Sequence, residues 1–229
     1  MLMQPLYPLQ DYDAFQDCIL VDSLPKNAVD VPAYIVFRPS TRQLIVSICG
    51  TSSLRHALQD VRAIRTAHPS GRGEVHSGFW DLYNRIKNKL LEGIRRGFEE
   101  HPADELVLTG HSMGGSLSYL LCIDILADKD IWRPSVSLKV AVFGVPRTGD
   151  AGLVDYFRSL VVDFKQKWGE DSFKEHSVKG FNDGIYIYCP FNICLCVIHA
   201  SRCTCPAPSL SWVSPLLQRA AVHGLWSTL

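Results

Sequence analysis

Leu106-Val107-Leu108-Thr109-Gly110-His111-Ser112-Met113-Gly114-Gly115 is the stretch that decides the fold. A short apolar strand, Glu105 to Thr109, runs into the pentad Gly110–Gly114, and a helical segment from Met113 to Ala127 follows. The pentad has the form G-x-S-x-G. A serine on so tight a strand-to-helix turn must take strained dihedrals, and only small neighbours let strand and helix pass closely. Gly115 adjoins the turn, and Ser116 and Ser118 keep the helix start slim. The alternative is an ordinary glycine-rich turn with a bystander serine. The flanking strand and helix argue against it.

Outward from this turn, strands alternate with helices. Ala33–Arg38 and Gln43–Ile48 are β-branched runs joined by Pro39-Ser40-Thr41-Arg42, a strand–turn–strand hairpin. Gly78 to Phe98 carries Phe79, Leu82, Tyr83, Ile86, Leu90, Ile94 and Phe98 at helical spacing. Ser137–Phe143 reads as a strand, 150–164 as a helix and 177–181 as one more strand. The expected class is α/β with a mostly parallel central sheet flanked by helices. Residues 1–32, punctuated by Pro5, Pro8, Pro25 and Pro32, are expected to be irregular. The domain is assigned to residues 33–184, with an atypical, irregular tail at 185–229.

Composition narrows the function classes. The chain has 229 residues, 47% hydrophobic and 20% charged, which is globular usage and excludes a wholly disordered chain. Lys plus Arg and Asp plus Glu are each 23, so the net charge is zero and the basic footprint of a nucleic-acid binder is missing. The N-terminus has no basic start and no sustained apolar run, so no signal peptide is read there. The chain as written is expected in the cytosol, with secretion open if the true start lies upstream.

Of eight cysteines, Cys189, Cys194, Cys196, Cys203 and Cys205 crowd into the tail. Cys18, Cys49 and Cys122 are scattered and read as buried thiols. The apolar run 185–200 is interrupted by Pro190 and Asn192 and falls short of the ~18–20 residues a spanning helix needs. The two C-x-C pairs are spaced more tightly than zinc ligand pairs usually are. Neither a transmembrane segment, a metal nor a cofactor is expected.

A serine hydroxyl needs a base, an orienting carboxylate and an oxyanion hole before it is a good nucleophile. The helix beginning at Met113 offers one backbone N–H, aided by the helix dipole. The turn Gly50-Thr51-Ser52-Ser53, directly after an early strand, is placed to offer the second.

Four blocks of the sequence then resemble, in order, the class 3 lipases of fungal type, an α/β-hydrolase group. Cys49-Gly50-Thr51-Ser52-Ser53 resembles their R-G-T/S-S oxyanion block, with Cys49 in place of arginine. Val75-His76-Ser77-Gly78-Phe79 resembles V-H-x-G-F, and Gly110–Gly115 resembles G-H-S-x-G-G. Phe143-Gly144-Val145-Pro146-Arg147-Thr148-Gly149-Asp150 resembles F-G-x-P-R-x-G-D/N. Val178 to Asp183 is similar to the strand and turn that present the family's aspartate.

The resemblance implies an α/β-hydrolase fold and hydrolysis of acylglycerols or related esters, with lipid at an interface as substrate. It implies Ser112 as nucleophile, Asp183 as the triad carboxylate, and Thr51 and Met113 as oxyanion donors. It also implies a lid within residues 54–74. There Leu54, Ala57, Leu58, Val61 and Ile64 would form an apolar helical face, with Arg55, Arg62 and Arg65 elsewhere on the helix; a plain surface helix is the alternative. In this family the base follows the aspartate, so His76 is read as structural, and His111 and His176 are not candidates.

Past Gly184 the match ends. The family's G-F/Y-x-H block is missing, and the histidines left as candidates for the base, His199 and His223, sit in no matching motif. One explanation unites the cysteine cluster, the apolar run and the missing block: the coding sequence enters an unspliced intron after Gly184 and resumes out of frame. Read one base over, with permitted codons, residues 211–228 yield a Leu-Gly-Phe-Arg-His-Phe segment. Three functions therefore compete: a serine ester hydrolase, a lipase-like chain without turnover (a binding protein or a defective gene product), and an acyltransferase on the same scaffold.

Overall fold

Runs of β-branched residues alternating between two environments build the sheet. In the computed structural model, which describes residues 17–25, 31–50, 64–128, 132 and 135–179, β2 (Ala33–Arg38) and β3 (Gln43–Ile48) form an antiparallel hairpin. Leu44, Val46 and Ile48 of β3 are buried while Gln43, Ile45 and Ser47 are only partly so. That is the period-2 signature of a strand with one face in the core. β6 (Glu105–His111), β7 (Ser137–Phe143) and β8 (Phe173–Val178) join β3 in parallel. Among the described residues the sheet has the six-stranded order β1-β2-β3-β6-β7-β8, β1 being Ile19–Leu24.

Each parallel step is bridged by a helix. α1 (Ser77–Glu100) packs on β1, β2 and β3, α2 (Met113–Ala127) on β3, β6 and β7, and α3 (Ala151–Trp168) against α2 and β8. α2 touches both other helices, so the three form one layer over one face of the sheet. α2 is apolar nearly all round, as a helix roofed by its neighbours must be. α1 sits unusually close to the sheet. A Cβ on Gly93 would lie 2.4 Å from Ile35 Cδ1, and one on Gly97 would lie 2.6 Å from Leu44 Cδ1.

Three expectations need correction. Residues 1–32 were expected to be irregular, but β1 (Ile19–Leu24) pairs antiparallel with β2. Its short run Ile19-Leu20-Val21 makes an edge strand that is largely exposed, so the apolar signal is brief and lies between prolines. The last strand starts at Phe173 rather than Ser177. Its exposed positions are Lys174, His176 and Val178, and polar residues mask the alternation of this strand, the outermost on its side among the described residues. Finally, Arg65 is not helical. β4 (Arg65–Ala67) and β5 (Glu74–His76) form a small antiparallel hairpin, and Ile64 before it is 68% exposed. Residues 54–63 of the expected lid, and the whole tail from 185, lie outside the described residues. Among those described, no helix is long and apolar enough to cross a membrane.

Candidate functional site

β6 ends at His111 and α2 begins at Met113, so Ser112 alone makes the turn. Its φ of 54° and ψ of −121° lie where glycine is at home and an L side chain is strained. Such a conformation persists only when its surroundings over-determine it. The surroundings are close backbone contacts. A Cβ on Gly114 would lie 2.1 Å from the Ile48 carbonyl oxygen, and one on Gly110 would lie 2.4 Å from the Gly114 carbonyl carbon. On Gly115 a Cβ would meet Val145 Cγ2 at 2.5 Å. The first turn of α2 is thus wedged between the ends of β3 and β7. The Ser112 amide donates to the Phe143 carbonyl at 2.9 Å, and the Ser112 carbonyl accepts from Gly115 and Ser116 at 3.1 and 3.3 Å. Ser118, expected only to keep the helix slim, does more: its hydroxyl reaches the carbonyls of Gly114 at 2.8 Å and Thr109 at 3.1 Å, stapling helix to strand.

The Ser112 side chain itself makes no capping bond to α2. It is 8% exposed, a hydroxyl held at the rim of the core rather than within it. Met113 follows as the first residue of α2, whose amide has no partner within the helix. Gly50 stands directly behind. A Cβ there would come within 2.9 Å of the His111 carbonyl oxygen and 3.9 Å of Ser112 Cβ. Gly50 is therefore backed against the serine; Thr51 lies outside the described residues. Cys49, at the position of the family's arginine, carries a half-buried thiol that burial pushes up, so it brings no charge.

Asp183, His199 and His223 also lie outside the described residues. β8 ends at Val178, which pairs with Phe143, and the Gly144 amide donates to the Val178 carbonyl at 2.8 Å. His76 begins α1: its Nδ1 accepts from the Phe79 amide at 3.4 Å and its ring stacks on Phe79. Burial holds that ring below the usual histidine value. His111 is exposed at the end of β6, and His176 pairs with Ala141 on β8. Among the described residues, no histidine bonds to the Ser112 hydroxyl.

One residue quoted in the sequence, Asp150, has a role that went unread there. Asp150 begins α3, and its carboxylate accepts from the amides of Leu153 and Glu74, each at 2.9 Å. The Asp150 amide returns a bond to the Glu74 carbonyl at 3.0 Å, and the His76 amide donates to Thr148 at 2.9 Å. Burial pulls this carboxyl up, but those amides, with Arg65 nearby, hold it below the usual carboxylate value. The block around Asp150 thus clasps β5 beside the turn into α1. Asp after Gly is an N-cap signal that could have found it.

Comparison with known proteins places this geometry. The sequence profile of the lipases of class 3 matches residues 45–171. A lipase of Rhizomucor miehei is 26% identical over 165 residues, covering 72% of this chain and 45% of that protein. The secreted mono- and diacylglycerol lipase A of Penicillium cyclopium is 23% identical over 145 residues, 63% of this chain and 46% of that one. The crystal structure of a lipase from Rhizopus microsporus var. chinensis superposes with a TM-score of 0.60 at 22% identity, covering 72% of this chain and 53% of that one. The chain spans about half the length of the curated relatives it matches. A profile that matches more than half of this sequence, on a mostly parallel sheet of α/β-hydrolase type, makes the chain a member of the class 3 lipase family.

Proposed function

We propose that the chain carries a serine carboxylic ester hydrolase site of lipase type, with the acyl-enzyme formed on Ser112. The observation that carries this reading is the strained serine whose hydroxyl caps nothing. The hydroxyl attacks the ester carbonyl as the base takes its proton, the amides of Met113 and Thr51 stabilise the oxyanion, and the C–O bond breaks so that the alcohol leaves with that proton. Water then attacks the acyl-serine, releasing the acid and restoring the Ser112 hydroxyl. Asp183 serves as the carboxylate. The sheet supports that assignment: His111, Phe143 and Val178 lie side by side across two strand spacings, about 9–10 Å. Asp183 is five residues past Val178, a stretch that spans at most about 18 Å. The base is not assigned; His223 and His199, the histidines that follow Asp183, are its candidates.

Acylglycerols or related esters, met at a lipid–water interface, are the substrates; relatives named for mono- and diacylglycerol hydrolysis support that class. The cytosolic placement expected from the sequence gains no support from relatives, one of which is named as secreted.

A second reading rests on the sequence: neither histidine after Asp183 sits in a motif that matches the family's base. A lipase-like chain without turnover, either a binding protein or a defective product, has the elbow without its base. Turnover of a short-chain p-nitrophenyl ester decides between them, with a fluorophosphonate probe on Ser112 as companion. Turnover abolished by Ser112→Ala supports the hydrolase. No turnover from a folded protein supports the second reading.

A further inference from the structure

His68 follows directly on β4 and is only 6% exposed. It opens the turn His68-Pro69-Ser70-Gly71, closed by the Gly71 amide on the His68 carbonyl at 2.9 Å. Proline in the second place and glycine at φ 70° in the last suit that turn. The imidazole is also part of it. The Ser70 amide donates to His68 Nδ1 at 3.3 Å, and the Ser70 hydroxyl lies 2.8 Å from the same nitrogen. An amide can only donate, so Nδ1 is the acceptor and the ring is neutral with its proton on Nε2.

The ring also bridges two helices. It meets Trp80 of α1 edge-on, centroids 5.2 Å apart, and Tyr156 of α3 at 5.7 Å. The groups facing it do not invite a charge. Asp124 of α2 favours the cation, but it already holds Lys87 at 2.7 Å and the Tyr83 hydroxyl, both from α1. Lys87 opposes the cation. From the hairpin itself comes Arg72, whose guanidinium lies over the Tyr156 ring at 5.2 Å.

We propose that His68 is an acid-sensitive latch that holds β4 and its turn down on α1 and α3. Protonation puts a hydrogen on Nδ1; the Ser70 hydroxyl oxygen can accept it, but the Ser70 amide then faces a donor and loses its acceptor, and a charge is buried beside two aromatic rings. β5 has its own anchor in the Asp150 clasp and stays. The direction follows from burial, which holds the ring below its ordinary value of 6.5. The latch is therefore fully closed above that value and weakens as pH falls below it.

Hydrogen exchange of the full chain tests this, comparing pH 7.5 with 5.0 after correction for intrinsic chemistry. Residues 64–72 should exchange about 3- to 30-fold faster at pH 5.0, the upper limit being set by the 1.5 pH units below 6.5. Residues 73–79 should change by less than about twofold. His68→Phe should remove the step. Lys87→Met should move its midpoint to higher pH, and provides an independent readout if the first variant does not fold. No step in the unmodified chain, a step that survives His68→Phe, or a midpoint that Lys87→Met leaves in place or lowers would each overturn the latch.

Discussion

α2 and α3 each follow a parallel strand in the chain, yet the residues that precede their first turns behave in opposite ways. Asp150 has extended dihedrals and commits its carboxylate to the amides of Leu153 and Glu74. Ser112 has a positive φ and commits its hydroxyl to nothing in α2. One helix end is finished by its own cap. The other is held by glycine contacts from outside, which leaves its hydroxyl and first amide available for chemistry. Strain at Ser112 and ease at Asp150 thus separate a site from a joint.

The strongest way to break that contrast is Ser112→Ala. Any ester hydrolysis should fall by roughly 10⁴-fold or more with little change in Tm, read from initial rates and thermal melts. Retention of most of the rate would mean the free hydroxyl is not the nucleophile. Thr51→Val should lower kcat by about 10- to 10³-fold, nearer the low end if the backbone amide dominates. An effect confined to KM would make Thr51 part of the acyl pocket instead.

Gly114→Ala tests whether close contact is what holds the strained turn. Its Cβ would lie 2.1 Å from the Ile48 oxygen, and neither backbone can yield cheaply. We expect a loss of about 1–3 kcal/mol in denaturant unfolding; an unchanged midpoint would show the turn is looser than described.

The smallest effects carry the sharpest sign. Ser112→Gly should raise stability by about 1 kcal/mol, since released strain exceeds the entropy glycine adds to the unfolded chain. Asp150→Gly should lower stability, by a few tenths of a kcal/mol to about 1. The Asp150 carboxyl is held below 3.8, so its contribution is full above that value and lost as pH falls through it. Wild type and Asp150→Gly should therefore converge in acid. Two changes of the same sign would erase the distinction between the two helix starts.

Most of the fold was legible because its strands and helices carry strong periods. Ala33–Arg38, Gln43–Ile48, Met113–Ala127 and Ser137–Phe143 have the bounds read from the sequence. What was missed lies at edges, where burial no longer writes a pattern. Among the described residues β1 and β8 are the outer strands: β8 exposes Lys174, His176 and Val178 at alternate positions, and β1 exposes Ile19, Leu20 and Ser23 with no alternation. The hairpin β4–β5 was hidden because three-residue strands are too short for a period to appear. The serine turn was legible because its glycines answer a local steric demand. The partners expected in Thr51, Asp183 and a histidine depend on distant segments meeting, which spacing along the chain does not reveal. His68 and Asp150 escaped for a related reason: each works through contacts made only after the helices dock.

The wedge that holds Ser112 also sets when that residue can exist in its strained form. Its three walls come from Ile48, from the β6 turn itself, and from the ends of β7 at Phe143 and Val145. β3 and β6 pair across a separation of 62 residues, from Gln43 to Glu105, so a long loop must close before the first wall arrives. The third is not yet made when Ser112 leaves the ribosome. A growing chain therefore has no tense serine until residue 145 has emerged and docked. The conformation is a late product of assembly, absent from every shorter nascent chain.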